Sequence, residues 1–140
     1  MKAPIKRKAR ELLGSVNLRR TSPRVAVLGV LLGVDRPLAQ QQIAARLGGR
    51  CPNKVTTYRT LETFVRAGLV HRAFLQNRKW HFELAHNCTE TQCHPHFTCT
   101  NCSHTYCLPE MSLPMAKSPR KGFIIRHQQT RFEGLCPECA

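Results

Sequence analysis

The amino-acid sequence predicts an α+β protein in two parts, a helical N-terminal part that ends in a β-hairpin and a smaller cysteine-rich part. Helical spacing of apolar residues recurs four times before residue 68, and two strand-like segments follow it. Residues 1–85 carry 17 Lys and Arg against 4 Asp and Glu, whereas seven of the eight cysteines lie beyond residue 87. These three observations predict two domains, 1–85 and 86–140.

The charge and composition narrow the class of protein. The 140 residues carry a formal net charge of +14, of which residues 1–85 hold +13. A concentration of positive charge on one domain favours a polyanionic partner. The chain has no run of about 18 apolar residues and no apolar stretch after its basic start, so we expect neither a membrane span nor a secretory signal. We therefore expect a cytoplasmic protein, in which clustered cysteines favour metal or redox chemistry over disulfides.

The first three helices are predicted from spacing and end signals. Apolar residues at helical spacing predict a helix over 5–16. The pair Ser22-Pro23 predicts the start of a second, more apolar helix, because serine caps helices and proline suits the first turn. A third helix is predicted over 39–47, and Gly48-Gly49 would end it.

A fourth helix is predicted to start after Pro52, with Asn53 as its cap, and to end at Gly68. Its apolar residues are expected to face inward, and these are Val55, Tyr58, Leu61 and Val65. Its polar residues would then face outward, and these are Lys54, Thr56, Thr57, Arg59 and Thr60. Such side chains reach phosphates and base edges in a major groove.

Two strands are predicted after the fourth helix, over 69–74 and 79–84, on either side of Gln76-Asn77-Arg78. Helices followed by a basic hairpin indicate a winged helix-turn-helix domain. The expected partner is double-stranded DNA, although a basic face can also be ordinary solvated surface.

Two C-x-x-C pairs stand in the C-terminal part, Cys99/Cys102 and Cys136/Cys139. Two thiolates on a tight turn can occupy two corners of a tetrahedron, so two such turns can complete a closed zinc site. The 33 intervening residues exceed the usual spacing of a zinc ribbon, so the sequence alone leaves open whether the pairs meet. Disulfides or inert thiols are the alternatives.

A second possible metal site precedes the first cysteine pair. On an extended segment, His94 and His96 would point to the same face because the side-chain period of a strand is two residues. Nitrogen and sulfur ligands together favour zinc or another borderline-soft ion. The residues that could complete this site are Glu83, Cys88, Cys93 and His71, and Cys107 is a further nearby thiol.

Five motifs of this chain, in the same order, resemble the ferric-uptake-regulator (Fur) family, and the zinc-uptake regulators within it look nearest. The match runs from about residue 20 to the C-terminus. The motifs are 52–62, 67–72, 82–84, His94-x-His96-x-x-Cys99-x-x-Cys102, and 134–139.

The resemblance implies a winged-helix domain, a hinge and a small α/β dimerisation domain, in a homodimeric, metal-dependent repressor that binds a DNA operator. It implies two zinc ions per chain: a structural one held by Cys99, Cys102, Cys136 and Cys139, and a regulatory one. Glu83, His94 and His96 match the regulatory site, and His71 matches a ligand of some zinc-type members. The matched DNA contacts include Tyr58 and Arg59 on the fourth helix and, in a second motif, Arg20, Thr21 and Arg24.

The chain departs from the family pattern in ways that change these expectations. Cys107 stands where the family commonly has glutamate, and Cys88 or Cys93 can take a ligand role held elsewhere by histidine. These changes add sulfur to the expected ligands of the regulatory site, and sulfur ligands favour zinc. The long helix of the family's dimerisation domain would here carry Pro109, Pro114 and Pro119, so we expect any helix there to be short or broken.

The function predicted from the sequence is therefore a zinc-responsive DNA-binding repressor that controls metal-homeostasis genes and is not an enzyme. An alternative in the same family is a thiol-redox or peroxide-responsive regulator that uses Cys88, Cys93 and Cys107. A zinc enzyme built on His94 and His96 is a weaker alternative, because no general base or H-E-x-x-H pattern accompanies the pair.

Overall fold

The structure, a computed structural model, describes residues 1–50, 53–85 and 94–140. The chain divides into two compact units, Met1–Ala85 and His86–Ala140, hereafter the N-terminal and C-terminal units. This boundary coincides with the one at which the charge and cysteine distributions change. In the part of the chain described, no helix combines the length and apolar character needed to cross a membrane.

The N-terminal unit contains four α-helices that end close to the predicted positions. They are α1 (Ala3–Ser15), α2 (Ser22–Leu32), α3 (Gln40–Leu47) and α4 (Lys54–Arg66). Ser22 is already helical, and the cap position falls on Thr21, which makes no side-chain cap hydrogen bond, so the predicted serine cap is wrong by one residue. Gly48 after α3 and Gly68 after α4 have positive φ values of 57° and 77°, which explains why both helices stop there.

The core of the N-terminal unit forms around α2, whose residues from Val25 to Leu31 are all buried. Helix α1 packs on it through Ala9 and Leu13, both without solvent exposure. This amphipathic burial stabilises α1 although its exposed face is strongly basic.

Helix α4 is rotated relative to the face that its apolar residues predict. Val55 and Tyr58 are 55% and 50% exposed, whereas Thr57 and Thr60 are buried. The threonine hydroxyls bond back to carbonyls one turn earlier: Thr57 Oγ1 donates to Asn53 O at 3.3 Å, and Thr60 Oγ1 donates to Thr56 O at 2.7 Å. A satisfied hydroxyl can be buried at little cost, so the prediction that Thr57 and Thr60 face outward was wrong.

A three-stranded antiparallel sheet completes the N-terminal unit. Its strands are β1 (Leu38–Ala39), β2 (Val70–Gln76) and β3 (Lys79–Leu84), in the order β1-β3-β2. Strands β2 and β3 are the predicted hairpin, and a bulge interrupts their pairing between Arg72 and Phe74. Strand β1 was not predicted, because two residues are too short to show a period of two.

The described part of the C-terminal unit contains a second three-stranded sheet. Its strands are β4 (His96–Cys99), β5 (Thr105–Cys107) and β6 (Arg131–Gly134), in the order β5-β4-β6. Strand β4 pairs antiparallel with β5 and parallel with β6. Residues 108–130 form no helix, so the helix implied by the family resemblance is absent from residues 94–140, as the three prolines lead one to expect.

Candidate metal centres and nucleic-acid face

The two cysteine pairs meet in the C-terminal unit. Strand β4 runs into the turn that holds Cys99 and Cys102, and β6 runs toward the turn that holds Cys136 and Cys139. Because β4 and β6 are parallel, with Cys99 opposite Gly134, both turns leave the sheet at the same end. The four Sγ atoms all lie within 4.8 Å of one another. The structure thus brings together the two pairs, a point that the sequence alone leaves open.

The spacing of the sulfur atoms fits a tetrahedral metal ion. With Zn–S bonds of about 2.3 Å, a tetrahedron requires S–S separations of about 3.8 Å. The Sγ atoms of Cys102 and Cys136 are 3.9 Å apart. Among the described cysteines no disulfide is formed, so the four thiols, which we call the four-cysteine cluster, can act as metal ligands.

The surroundings of the four-cysteine cluster lower the pKa of two of its thiols and raise the pKa of the other two. Backbone amides, first that of Cys102, donate to Cys99 and lower its pKa to about 6. Burial raises the pKa of Cys136, but hydrogen bonds from Cys139 outweigh it, and the net direction is down. The pKa of Cys102 is raised to about 11: a backbone hydrogen bond from His104 lowers it, and the bond to Cys99 and burial outweigh that effect. A hydrogen bond from Asn101 lowers the pKa of Cys139, but the bond to Cys136 and burial outweigh it, and the net direction is up.

Tyr106 on β5 also touches the four-cysteine cluster, which sequence reasoning missed. Its side chain is hydrogen-bonded to Cys136, and this bond together with burial raises the pKa of Tyr106 to about 12. The tyrosine therefore stays protonated and can donate to the sulfur. No sequence signal pointed to it, because the contact depends on how β5 lies beside the second turn.

His94, His96 and Cys107 form a second group of metal-ligating atoms, which we call the His-Cys cluster. One ligand atom from each lies within 4.8 Å of the other two. His96 on β4 is the cross-strand partner of Cys107 on β5, which places both side chains on one face of the sheet. The imidazole rings of His94 and His96 have centroids 5.0 Å apart, in keeping with the shared face that their spacing predicts. His96 is only 3% exposed.

Two other residues predicted for the regulatory site belong to the N-terminal unit. Glu83, at the end of β3, is buried, and its Oε1 lies 2.8 Å from Nε2 of His71 across the hairpin. Their strand register places them directly opposite each other. The remaining candidates, Cys88 and Cys93, lie outside the described residues.

The exposed side of α4 carries most of the predicted DNA contacts of this helix. Asn53 caps the helix, its Oδ1 accepting from the amide of Thr56 at 2.8 Å. Exposed or half-exposed positions hold Lys54, Thr56, Tyr58 and Arg59. Thr57 is only 1% exposed and cannot reach DNA as a surface group, so its prediction as a contact is wrong.

The second predicted DNA motif lies at the start of α2. Arg20 and Thr21 are exposed, and Arg24 is half-buried. Nε of Arg20 donates to the carbonyl of Arg10 on α1 at 3.0 Å, and Nη1 of Arg24 donates to the carbonyl of Arg19 at 3.3 Å. Each guanidinium retains further N–H donors for another acceptor.

Comparison with known proteins finds one matching family and several solved structures with a similar fold. Residues 15–128 match the model of the ferric uptake regulator family. A ferric uptake regulator from Pseudomonas aeruginosa, solved with manganese, has a TM-score of 0.62 at 21% identity and covers 92% of this chain and 98% of its own. A zinc uptake regulator complexed with zinc and DNA has a TM-score of 0.64 at 21% identity, and the match covers 96% of this chain and 92% of that chain. A zinc-bound manganese uptake regulator has a TM-score of 0.65 at 16% identity, and the match covers 91% of this chain and 98% of that chain. No curated protein sequence matches significantly.

The match over more than half of the chain defines its class: it is a DNA-binding transcription regulator that responds to metal, and not an enzyme. The chain belongs to the ferric uptake regulator family.

Proposed function

We propose that this chain is a zinc-dependent transcriptional repressor of metal-homeostasis genes that acts as a homodimer on a DNA operator. In this proposal residues 1–85 form a winged helix-turn-helix domain, and residues 86–140 form a metal-binding dimerisation domain. The observation that carries the proposal is the His-Cys cluster, which is separate from the four-cysteine cluster. A protein that uses one metal ion to stabilise its fold needs a second set of donor atoms if it is also to respond to the metal concentration.

The four-cysteine cluster is the proposed structural site. Two of its sulfurs belong to buried residues, Cys99 and Cys136, and a closed set of four thiolates leaves no position for exchange with solvent. Zinc bound there would tie the end of β4 to the segment after β6. Its role would be to hold the C-terminal unit together.

The His-Cys cluster is the proposed regulatory site. Two imidazole nitrogens and one thiolate suit zinc better than magnesium, calcium or manganese. Three donors leave a fourth position, for which the family resemblance suggests the carboxylate of Glu83. Cys88 and Cys93 are the other candidates, and His71, hydrogen-bonded to Glu83, would orient that carboxylate.

Regulation requires that metal binding favour one arrangement of the DNA-binding domains. A ligand shifts such an equilibrium only by its difference in affinity for the two states, and about 5.5 kcal/mol converts 1:99 into 99:1. A set of ligands that is complete in only one arrangement can supply a difference of this size. We therefore propose that Glu83 couples zinc at the His-Cys cluster to DNA binding.

The proposed DNA contacts come from two places in the N-terminal unit. On α4 they are Lys54, Thr56, Tyr58 and Arg59, and at the start of α2 they are Arg20, Thr21 and Arg24. The net charge of +13 on residues 1–85 supports a DNA partner, because neutralised phosphates release counterions.

The test is DNA binding with and without zinc, on the wild type and on His96→Ala. The variant should keep the zinc of the four-cysteine cluster, lose the other and bind DNA weakly in both conditions. His127→Ala, an exposed histidine outside both clusters, is the matched control and should behave as wild type. Equal affinity of the wild type and His96→Ala with and without zinc would refute the sensor while leaving DNA binding intact.

A redox-responsive regulator is the second candidate. It would use Cys88, Cys93 and Cys107 as the reacting thiols. The position of Cys107 beside two imidazoles favours metal ligation instead. Mass spectrometry after mild peroxide treatment distinguishes the two: a disulfide among these cysteines, with release of DNA, would support the redox candidate.

A further inference from the structure

Tyr106 lies on β5, outside the two turns that hold the cysteines, yet its side chain is hydrogen-bonded to Cys136 of the four-cysteine cluster. The next residue, Cys107, belongs to the His-Cys cluster. Successive side chains of a strand point to opposite faces of the sheet, so Tyr106 does not lie on the face that carries the His-Cys cluster. Its contact therefore concerns the four-cysteine cluster alone.

The ring of Tyr106 is held in place by other aromatic rings. Tyr106 is half-buried and stands directly opposite Phe97 in the pairing of β5 with β4. Its ring centroid lies 4.5 Å from that of His104, with an angle of 37° between the two planes. The ring of Phe97 lies against β6, since a Cβ on Gly134 would be 3.3 Å from its Cζ. These contacts fix the ring, so the hydroxyl is presented to the sulfur with little further loss of side-chain freedom.

The sulfur of Cys136 depends on the protein for its hydrogen-bond donors, because this residue is only 1% exposed. Four thiolates around one Zn²⁺ carry a net charge of −2, and negative charge that water does not reach is costly unless hydrogen bonds stabilise it. The amides of Cys139 and Glu138 donate to Cys136 from its own turn. The phenol of Tyr106, a donor at neutral pH, adds one from a different strand.

We propose that Tyr106 is a positioning residue of the four-cysteine cluster, whose hydroxyl orients the Cys136 sulfur, disperses part of its negative charge and so strengthens zinc binding. This inference rests on the proposed function, in which the cluster is a structural zinc site, and adds to it a residue that is not itself a ligand. Loss of a hydrogen-bonding partner of a metal ligand lowers metal affinity by roughly 10- to 100-fold. Tyr106→Phe deletes the donor and keeps the ring, so a loss of this size is expected from it.

The test measures the protection of Cys136 from alkylation in the full-length protein. Samples equilibrated in solutions of buffered free zinc are treated briefly with an alkylating reagent, and peptide mass spectrometry gives the modified fraction of Cys136. Because this residue belongs to one cluster only, the free zinc concentration at half-protection reports on that cluster. In Tyr106→Phe it should be roughly 10- to 100-fold higher than in the wild type.

Two further variants separate the hydroxyl from the ring and from unrelated effects. Ser112→Ala removes an exposed hydroxyl from the same unit outside both clusters and should match the wild type. Tyr106→Leu removes the ring together with the hydroxyl and should bind zinc no more tightly than Tyr106→Phe. A loss confined to Tyr106→Leu would assign the effect to packing of the ring and overturn the role of the hydroxyl.

Co²⁺ in place of zinc gives a spectroscopic signature that packing alone would not change. The charge-transfer absorption from sulfur to Co²⁺ moves to lower energy when a hydrogen bond to the sulfur is lost, because the electron pairs of the sulfur are then held less tightly. On a His96→Ala background, which is expected to lack metal at the His-Cys cluster, Tyr106→Phe should shift this band to longer wavelength, and Ser112→Ala should not.

The outcomes distinguish this inference from the function on which it rests. Half-protection of Cys136 at the same free zinc in Tyr106→Phe and the wild type would overturn the proposal, and so would weaker zinc binding with an unshifted Co²⁺ band. If zinc did not protect Cys136 in the wild type at all, the structural zinc site of the proposed function would be refuted instead.

Discussion

Removal of the second cysteine pair should destabilise the C-terminal unit by an amount that follows from its topology. The perturbation is the double substitution Cys136→Ser and Cys139→Ser. Zinc at the four-cysteine cluster would close a loop between Cys102 and Cys136, which are separated by 33 residues. The loop-closure relation used for covalent cross-links gives about 3.8 kcal/mol for a loop of this length. Domains are stabilised by only about 5–15 kcal/mol, so the loss is a large fraction.

Amide hydrogen exchange on β4 measures this loss locally. The amides of His96 and Cys99 donate to the carbonyls of Thr130 and His104, and both bonds depend on the sheet. A loss of about 3.8 kcal/mol corresponds to a decrease in protection of roughly 600-fold if these amides exchange through opening of the whole unit. Strong chelation of the wild type should decrease the protection by at least as much, because it also removes zinc from the His-Cys cluster.

The fluorescence of Trp80 is the internal control for the fold of the N-terminal unit, to which this residue belongs. It should be the same in the double variant as in the wild type. Ser112→Ala makes a small change at an exposed residue of the same unit that belongs to neither cluster, and it should leave the protection of β4 nearly intact. Wild-type protection in the double variant would refute the argument that the cysteines close this loop through a metal.

Three further predictions concern α4, the core and the chemistry of zinc uptake. Asn53→Ala should cost about 1 kcal/mol in urea unfolding, because the cap to the amide of Thr56 is lost, and Asn53→Ser should retain most of it; equal losses would contradict the cap. Phe64→Ala removes a side chain with no solvent exposure and should cost about 3–5 kcal/mol by the same measurement; a loss under about 1 kcal/mol would contradict its place in the core. Zinc uptake by the four-cysteine cluster at about pH 7 should release the protons held by Cys102 and Cys139, whose pKa values are raised, but fewer than four in all, because the pKa of Cys99 is lowered to about 6; calorimetry in buffers of different ionisation enthalpy counts them, and release of all four would contradict the lowered pKa of Cys99.

The helices of the N-terminal unit could be predicted because their signals are local. Apolar spacing, the Asn53 cap and the glycines after α3 and α4 each act within a few residues. The inward face of α4 could not be predicted by the same means. Its threonines satisfy their hydroxyls within the helix and are buried, while Val55 and Tyr58 are exposed, so polarity alone assigned the wrong face.

The members of the two candidate metal-binding clusters could be predicted, but their assembly could not. Cysteine spacing singled out the four residues of the four-cysteine cluster, yet their meeting depends on the parallel pairing of β4 with β6, a contact between strands far apart in the sequence. The grouping of Cys107 with His96 depends on the register of β4 and β5. Both are long-range pairings for which a single sequence carries no periodic signal.

The long segment that joins β5 to β6 is much longer than the sheet requires. Strand β4 lies between these two strands. Both ends of the segment lie beside the first residue of β4, since Leu108 N donates to Pro95 O and His96 N donates to Thr130 O. Two strand spacings amount to about 9.6 Å, which about three or four residues could span. The 23 residues from 108 to 130 therefore leave ample surplus length, and insertions or deletions there can change the outline of the C-terminal unit without moving the four sulfur atoms.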